Sequence, residues 1–170
     1  CDVISISLLT NNIPFSITTK IIRKLTEAKN PPTDIWLVVE KGAAKRFTGQ
    51  PKETLRSILL KSNWKAKIVY YFRKEDFHPK PSVDSVLLRL TPKDCPDVDA
   101  KDYASFAYFI EHSFRHGLFS KRSLLTKKQI STALRLEKLP PIPQSGEVLY
   151  IQWLCLFRCY QKFKSRKGKR

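Results

Sequence analysis

Four consecutive residues near the start of the chain, Asn12, Ile13, Pro14 and Phe15, combine hydrogen-bond acceptors with a flat apolar ring. Asn12 offers a side-chain carbonyl, the Ile13 and Pro14 peptides add main-chain carbonyls, and the proline removes one amide hydrogen. Such acceptors beside an aromatic ring suit an exocyclic amino group on a nucleic-acid base. A plain strand-to-helix turn explains the same residues, and the residues alone leave both interpretations open.

The elements that would position this segment follow an α/β order. Short apolar or alternating runs predict strands over residues 3–9, 35–40, 65–73 and 83–90. Apolar residues at helical spacing predict helices over residues 17–28, 42–48 and 52–62. The order predicts a doubly wound sheet whose last strand returns antiparallel, and the apolar run at 35–40 is typical of a strand covered on both faces. Ligands of such sheets bind at the carboxyl ends of the strands, which is where residues 12–15 fall.

Beyond a proline-containing linker the pattern is wholly helical. Helices are predicted over residues 101–116, 126–137 and 147–163. We therefore expect an α/β part over 1–92, a small all-α domain over 99–163 and a basic tail over 164–170.

The charge of the chain points to a polyanionic partner. Thirty-two Lys and Arg against fifteen Asp and Glu give a formal net charge of +17 and a pI near 9.9. Residues 99–170 carry 15 basic and 5 acidic side chains, against 17 and 10 in residues 1–98. Nucleic acid is the most common partner of such a chain, and the denser C-terminal charge favours that region as its main contact.

Cysteine and histidine spacing argues against a metal site or a disulfide framework. Cys155 and Cys159 lie one helical turn apart, as do His112 and His116, but neither pair has the further ligands that a metal needs. We expect reduced thiols in a cytoplasmic protein, with no apolar run long enough to span a membrane. Since the chain opens on Cys and contains no Met, we also expect that it begins inside a longer protein.

Two segments resemble those of a known family. The segment NIPFSITTKIIRKL is similar to the Asn-Leu/Ile-Pro-Tyr/Phe motif and following helix of the ribosomal RNA adenine dimethyltransferases, and FHPKPSVDSVLLRL is similar to a later motif of theirs. Within that superfamily, WLVVEKGAAKRF and FHPKP resemble the Erm methyltransferases more than the KsgA-type housekeeping enzymes. The segments LLTKKQISTAL and YIQWLCLFRCYQKF resemble the Erm C-terminal domain.

The resemblance implies the C-terminal half of a Rossmann-like class I methyltransferase sheet, followed by a small all-α RNA-binding domain. It implies a monomer that transfers methyl groups from S-adenosylmethionine to N6 of one adenine in 23S rRNA, giving macrolide, lincosamide and streptogramin B resistance. The family's glycine-rich cofactor loop has no counterpart here, so we expect the main cofactor site upstream of this chain and no activity from the chain alone. A non-catalytic RNA-binding remnant and a KsgA-type enzyme acting on 16S rRNA are the alternatives.

The resemblance also assigns roles to individual residues. Asn12 and the Ile13–Pro14 backbone would hold the adenine amine, Phe15 would stack on the ring, and Phe77 would cover the other face or shape the pocket. Asn12 is also a candidate contact to the cofactor. The RNA-facing segments supply five basic side chains: Arg23, Lys24, Lys45, Arg46 and Lys80.

Overall fold

The computed structural model describes the backbone of residues 3–7 and 15–167, and the side chains of residues 17–164. Within these residues the strands form one sheet, made of β1 (Val3–Ser7), β2 (Asp34–Glu40), β3 (Trp64–Tyr71) and β4 (Ser85–Pro92). Their spatial order is β1-β2-β4-β3, with β1 parallel to β2 and β4 antiparallel to both of its neighbours. The predicted antiparallel return of the last strand is therefore confirmed.

Six helices accompany the sheet in the described residues. They are α1 (Phe15–Thr26), α2 (Lys41–Thr48), α3 (Leu55–Lys61), α4 (Ala100–His116), α5 (Lys127–Leu136) and α6 (Tyr150–Lys167). In addition, a short 3-10 turn spans Lys74–Asp76. Over the same part of the chain, none of these helices has the length and apolar character needed to cross a membrane.

The two faces of the sheet differ in burial. One face is built from the alternating buried residues Ile35, Leu37, Val39, Val86, Leu88 and Leu90. Helix α2 lies against β2, β3 and β4 and buries Ala44 and Phe47. On the other face, Trp36 and Leu87 are only half-buried and Arg89 is exposed. Trp36 and Val38 on this face of β2 are half-buried, so the described residues cover the second face of residues 35–40 only in part.

The chain divides into two compact units. The α/β unit contains residues 1–51 and 63–96, and the helical unit contains residues 52–62 and 97–170. Helix α3 therefore packs in the helical unit, although the sequence analysis placed its segment in the α/β part. Its Ile58 side chain is fully buried in the helical core.

The core of the helical unit is built around α6. Six consecutive residues of this helix, 152–157, are buried, so α6 has no solvent face over this stretch. The Phe157 ring meets the Phe106 ring edge-on at 5.1 Å, and the Phe109 ring stacks on Tyr160 at 5.2 Å. Such aromatic pairs are typical of a closely packed interior.

Polar groups fix the start of α6. The buried Gln152 side chain accepts a hydrogen bond from the Leu149 amide and donates one to the Pro140 carbonyl, both at 2.8 Å. The Tyr150 hydroxyl donates to an Asp97 carboxylate oxygen at 2.6 Å. Burial, followed by this hydrogen bond, raises the pKa of Tyr150. The connections before α4 and α6 are thus held to the helical core.

Candidate active site

The strand ends that the sequence analysis singled out meet at one edge of the sheet. Ser7 at the end of β1 pairs with Val38, Glu40 at the end of β2 pairs with Ser85, and Tyr71 at the end of β3 pairs with Val86. The Lys41 amide donates to the Asp84 carbonyl at 2.8 Å, and the Phe72 amide donates to the Ser85 carbonyl at 3.1 Å. The loop over residues 72–84 therefore leaves and re-enters the sheet at this edge.

Local hydrogen bonds shape this loop. The Arg73 amide donates to an Asp76 carboxylate oxygen at 2.9 Å, which closes the 3-10 turn. The Lys74 ammonium donates across the loop to the Ser82 carbonyl at 3.2 Å. Phe77 follows the turn directly, so the loop holds the predicted aromatic residue beside the sheet edge.

Phe77 is one of three aromatic residues whose rings contact one another in a row. Its half-buried ring is tilted against Phe72 at 5.2 Å, and Phe72 meets Tyr70 edge-on at 4.9 Å. A bulge precedes these rings, because Ile68 pairs with Leu88 while Tyr70 pairs with Leu87. The extra residue, Val69, re-aims the side chains that follow it, as bulges next to functional sites often do. The sequence analysis missed Phe72 and Tyr70, although the aromatic run at 70–72 was a usable signal.

Most of the acceptor segment lies beyond what the structure shows. Asn12, Ile13 and Pro14 lie outside the described residues, and Phe15 is described only as the first backbone position of α1. The described residues place Ser7, the end of the preceding strand, at the edge that carries the Phe77 loop. The proposed contacts of residues 12–15 with an adenine therefore stay predictions.

The five basic residues that were predicted to bind RNA lie at different distances from this edge of the sheet. Lys80 lies in the loop itself and pairs with Glu75 at 3.5 Å. Lys45 and Arg46 occupy the last turn of α2, about 6–8 Å of helix rise beyond Lys41. Arg23 and Lys24 occupy the last turn of α1, about 12–14 Å of rise beyond its first residue. Arg23 also pairs with Glu27 at 3.2 Å.

The structure adds a cation that the sequence analysis did not select. The Lys41 ammonium lies 3.5 Å from an Asp84 carboxylate oxygen and 5.9 Å from the centre of the Tyr71 ring. Because Lys41 directly follows β2, it is fixed at the edge that carries the Phe77 loop. Its position immediately after an apolar strand was the signal for it.

The cysteine pair lies on α6 and the histidine pair lies on α4. Burial raises the pKa of both the Cys155 and the Cys159 thiols. The rings of His112 and His116 lie 4.4 Å apart, and burial together with His112 lowers the pKa of His116. In the part of the chain that the structure describes, no group of three or more His, Cys, Asp or Glu side chains could hold a metal ion.

Comparisons with known proteins agree with this architecture. The family model described as ribosomal RNA adenine dimethylase matches residues 7–139. An rRNA adenine N-6-methyltransferase of Enterococcus faecalis is 33% identical over 159 residues, covering 94% of this chain and 61% of that protein. A ribosomal RNA small subunit methyltransferase A of Oceanobacillus iheyensis is 33% identical over 119 residues, covering 68% of this chain and 40% of that protein.

Solved structures show the same fold. The crystal structure of the 23S rRNA methyltransferase ErmE superposes with a TM-score of 0.74 at 22% identity, covering 94% of this chain and 65% of ErmE. A dimethyladenosine transferase from Plasmodium falciparum superposes with a TM-score of 0.57, covering 83% of this chain and 54% of that one. The chain spans about 61% of the length of the N-6-methyltransferase relative that it matches. The chain belongs to the ribosomal RNA adenine dimethylase family, and within it is similar to the Erm-type rRNA adenine N-6-methyltransferases.

Proposed function

We propose that this chain carries the adenine pocket and the RNA-binding part of an enzyme that methylates N6 of one adenine in 23S rRNA, once or twice. One observation carries the proposal: in a chain that the family model matches over residues 7–139, β1 ends at the same sheet edge as the Phe77 loop. That edge brings the strand leading into residues 12–15 together with the second aromatic residue of the resemblance. On this proposal residues 1–92 hold the adenine, while residues 99–163 and the tail 164–170 bind RNA.

The chemistry assigned to the pocket follows from its residue types. An adenine must first leave its stack, at a cost of a few kcal/mol, and rings such as Phe15 and Phe77 help to offset that cost. The Asn12 carbonyl and a main-chain carbonyl of Ile13 or Pro14 accept the two amine hydrogens. Held out of the ring plane, these hydrogens leave the nitrogen lone pair free to attack a methyl group. No strong general base is needed, because the nitrogen becomes acidic only after alkylation.

The methyl donor on this proposal is S-adenosylmethionine, which supplies an electrophilic methyl group when it is bound. The described residues do not fit a site for it. The chain has five glycines and no glycine-rich loop. Of these, Gly49 ends α2 in a left-handed conformation, and a Cβ at Gly42 would meet only the side chain of Glu40.

Methylation of the adenine N6 would change how antibiotics bind to the ribosome. Methyl groups on N6 remove amino hydrogens and add bulk at the point that a drug would contact. On this proposal the modified ribosome resists macrolides, lincosamides and streptogramin B. The enzyme would act in the cytoplasm, as a monomer, on 23S rRNA.

A second candidate is supported by the O. iheyensis relative, whose name refers to the small ribosomal subunit. A KsgA-type enzyme would methylate adenines in 16S rRNA and give no macrolide resistance. A third candidate is a remnant that binds RNA without chemistry. The methylated nucleotide separates the three.

A chimera tests the proposal. The part of the E. faecalis relative that precedes its match to this chain is fused to residue 1, and the chimera is produced in a macrolide-sensitive bacterium. Primer extension on 23S and 16S rRNA then locates any methylated adenine. We expect a single modified adenine in 23S rRNA and a raised erythromycin tolerance.

Two controls accompany the chimera. The 170-residue chain alone should give no modification, and calorimetry should detect no tight binding of S-adenosylmethionine to it. Modification confined to 16S rRNA would favour the KsgA-type alternative. A folded chimera that binds S-adenosylmethionine but modifies neither RNA would favour the remnant.

A further inference from the structure

The helical unit contains a groove that is not part of the proposed catalytic site. It has a volume of about 980 Å³ and runs along α5 and the segment that follows it. Its floor is apolar and includes the buried side chains of Ile130 and Leu134. Phe119 also lines it, and this residue is 48% exposed. An apolar floor with an exposed flat ring suits a planar ligand.

Four cations line this basic groove: Lys127, Lys128, Arg135 and Lys138. All four are exposed, and none has an ion-pair partner among the described residues. Between residues 117 and 142 the sequence has six Lys or Arg and a single acid, Glu137. The groove therefore presents uncompensated positive charge around an apolar floor, which favours an anion that carries flat rings.

The backbone at Lys138 supports a role for its ammonium group. The Leu139 amide donates to the Leu134 carbonyl at 2.9 Å, and the Lys138 amide donates to the Arg135 carbonyl at 3.1 Å. These two bonds form a Schellman motif, whose left-handed position is usually occupied by glycine. Here it is Lys138, at a φ of 55°. A strained lysine at the edge of a groove suggests that the side chain is used.

The groove is preformed. The Thr126 hydroxyl accepts a hydrogen bond from the Gln129 amide at 3.2 Å, and the Gln129 side chain accepts one from the Thr126 amide at 2.8 Å. This capping box fixes the end of α5 that carries Lys127 and Lys128. At the other end, the bond from Gln152 to the Pro140 carbonyl holds the segment after α5. Little ordering is needed on binding, which favours affinity.

We propose that the basic groove binds single-stranded RNA, with a base stacked on Phe119 and neighbouring phosphates on the four cations. The inference rests on the proposed function and specifies which part of the helical unit holds RNA. Small-molecule sites measure on the order of 300–1,000 Å³, so the groove is large enough to take individual nucleotides. Bases stacked on aromatic rings with phosphates on nearby cations are the usual mode of single-strand recognition.

The test uses the 170-residue chain and a fluorescein-labelled 12-nucleotide oligouridylate, with anisotropy measured between 50 and 300 mM salt. Phe119→Ala should weaken binding about tenfold and leave the salt dependence unchanged, whereas Phe119→Trp should retain affinity. Lys127→Ala combined with Lys128→Ala should lower the slope of log K against log salt by about 1.4, or roughly 0.7 per phosphate contact.

Lys138→Asn separates binding from folding. Asn tolerates the left-handed conformation, so the unfolding midpoint should stay unchanged or rise while RNA affinity falls. The matched control is Lys101→Ala on the exposed first turn of α4, which should bind within twofold of the parent chain.

Three results would overturn the proposal. If folded groove variants bind oligouridylate as the parent chain does, RNA is held elsewhere, while the chimera still decides the proposed function. If the parent chain does not bind oligouridylate at 50 mM salt, the groove is not an RNA site. If a polyglutamate peptide binds in a way that depends on Phe119 and oligouridylate does not displace it, the groove is a site for acidic protein segments.

Discussion

Among the described residues, the helical unit has a fully buried core, whereas the α/β unit fully buries side chains on only one face of its sheet. In the helical unit, Phe106, Phe109 and Leu156 are fully buried. In the α/β unit, Leu37 and Leu88 are equally buried on one face, but their neighbours Trp36 and Leu87 on the other face are half-buried. That second face carries a guanidinium, since Arg89 lies 4.8 Å from the centre of the Trp36 ring.

Because of this difference, we expect the two units to contribute differently to the stability of the protein and to its chemistry. The helical unit contains a cluster of buried apolar side chains, and burial of apolar surface is the main favourable contribution to folding. The α/β unit holds the candidate pocket on a sheet with one partly open face. We therefore expect substitutions in the α/β unit to affect catalysis most, and substitutions in the helical unit to affect folding and RNA affinity most.

The largest expected effect is on catalysis. In the chimera, Asn12→Ala should lower methylation at least about a hundredfold, because it removes an acceptor that steadies the reacting amine. RNA affinity should stay within a fewfold, since the basic surface is unchanged. Single-turnover methylation and anisotropy measure the two quantities, with Lys101→Ala as the control. Unchanged turnover in the Asn12 variant would refute the amine-holding role.

The next prediction tests whether the two units unfold independently of each other. Phe109→Ala should cost about 3–5 kcal/mol of the free energy of unfolding, because it empties a fully buried site in the helical core. Hydrogen exchange read by mass spectrometry should show lost protection in α4 and α6 but not in β2 and β4. The matched variant Leu88→Ala should cost about 2–5 kcal/mol and show the opposite pattern. Equal losses in both units from either variant would mean one cooperative domain.

The fold could be predicted where local signals agree. Strand β2 was expected at residues 35–40 and is found at Asp34–Glu40, because an apolar run is bounded by prolines before it and a glycine-containing helix after it. The packing partners of an element could not be predicted from such local signals. The periodicity of residues 52–62 indicates an apolar face on α3, but nothing local says that Ile58 packs in the helical core.

The candidate site was predictable in part for similar reasons. The resemblance to the dimethyltransferases indicated Phe77, and the structure gives it an aromatic neighbour in Phe72 that the sequence analysis did not select. Long-range polar pairs were out of reach, because Arg89 and Asp34 are 55 positions apart and meet only through the pairing register of β2 and β4. The lysine at 138 looked ordinary, since its left-handed backbone appears only in the structure.

A smaller effect is expected at a polar contact of the helical unit. Tyr150→Phe removes the hydrogen bond to Asp97 and should cost about 2 kcal/mol, as expected for a bond to a charged group. The raised pKa of Tyr150 adds a pH dependence. The unfolded state ionises this phenol above about pH 10 while the folded state keeps it protonated, so its contribution is lost as pH rises beyond 10. Denaturant unfolding from pH 8 to 11 should show this extra loss in the parent chain and not in the Phe variant.

The smallest effect concerns the partly open sheet face. The Arg89 guanidinium donates two 2.9 Å hydrogen bonds to the Asp34 carboxylate, and these lower the pKa of Asp34. A lowered carboxyl pKa stabilises the fold above the unfolded value of about 3.9, and this contribution is lost as pH falls below it. Asp34→Asn should therefore lower the unfolding midpoint slightly at pH 6 and not at pH 2, with a smaller difference in 1 M salt. Asp94→Asn, at an exposed pair with Lys65, should change nothing. An equal loss at both pH values would show that Asp34 acts by packing against this face and not through its charge.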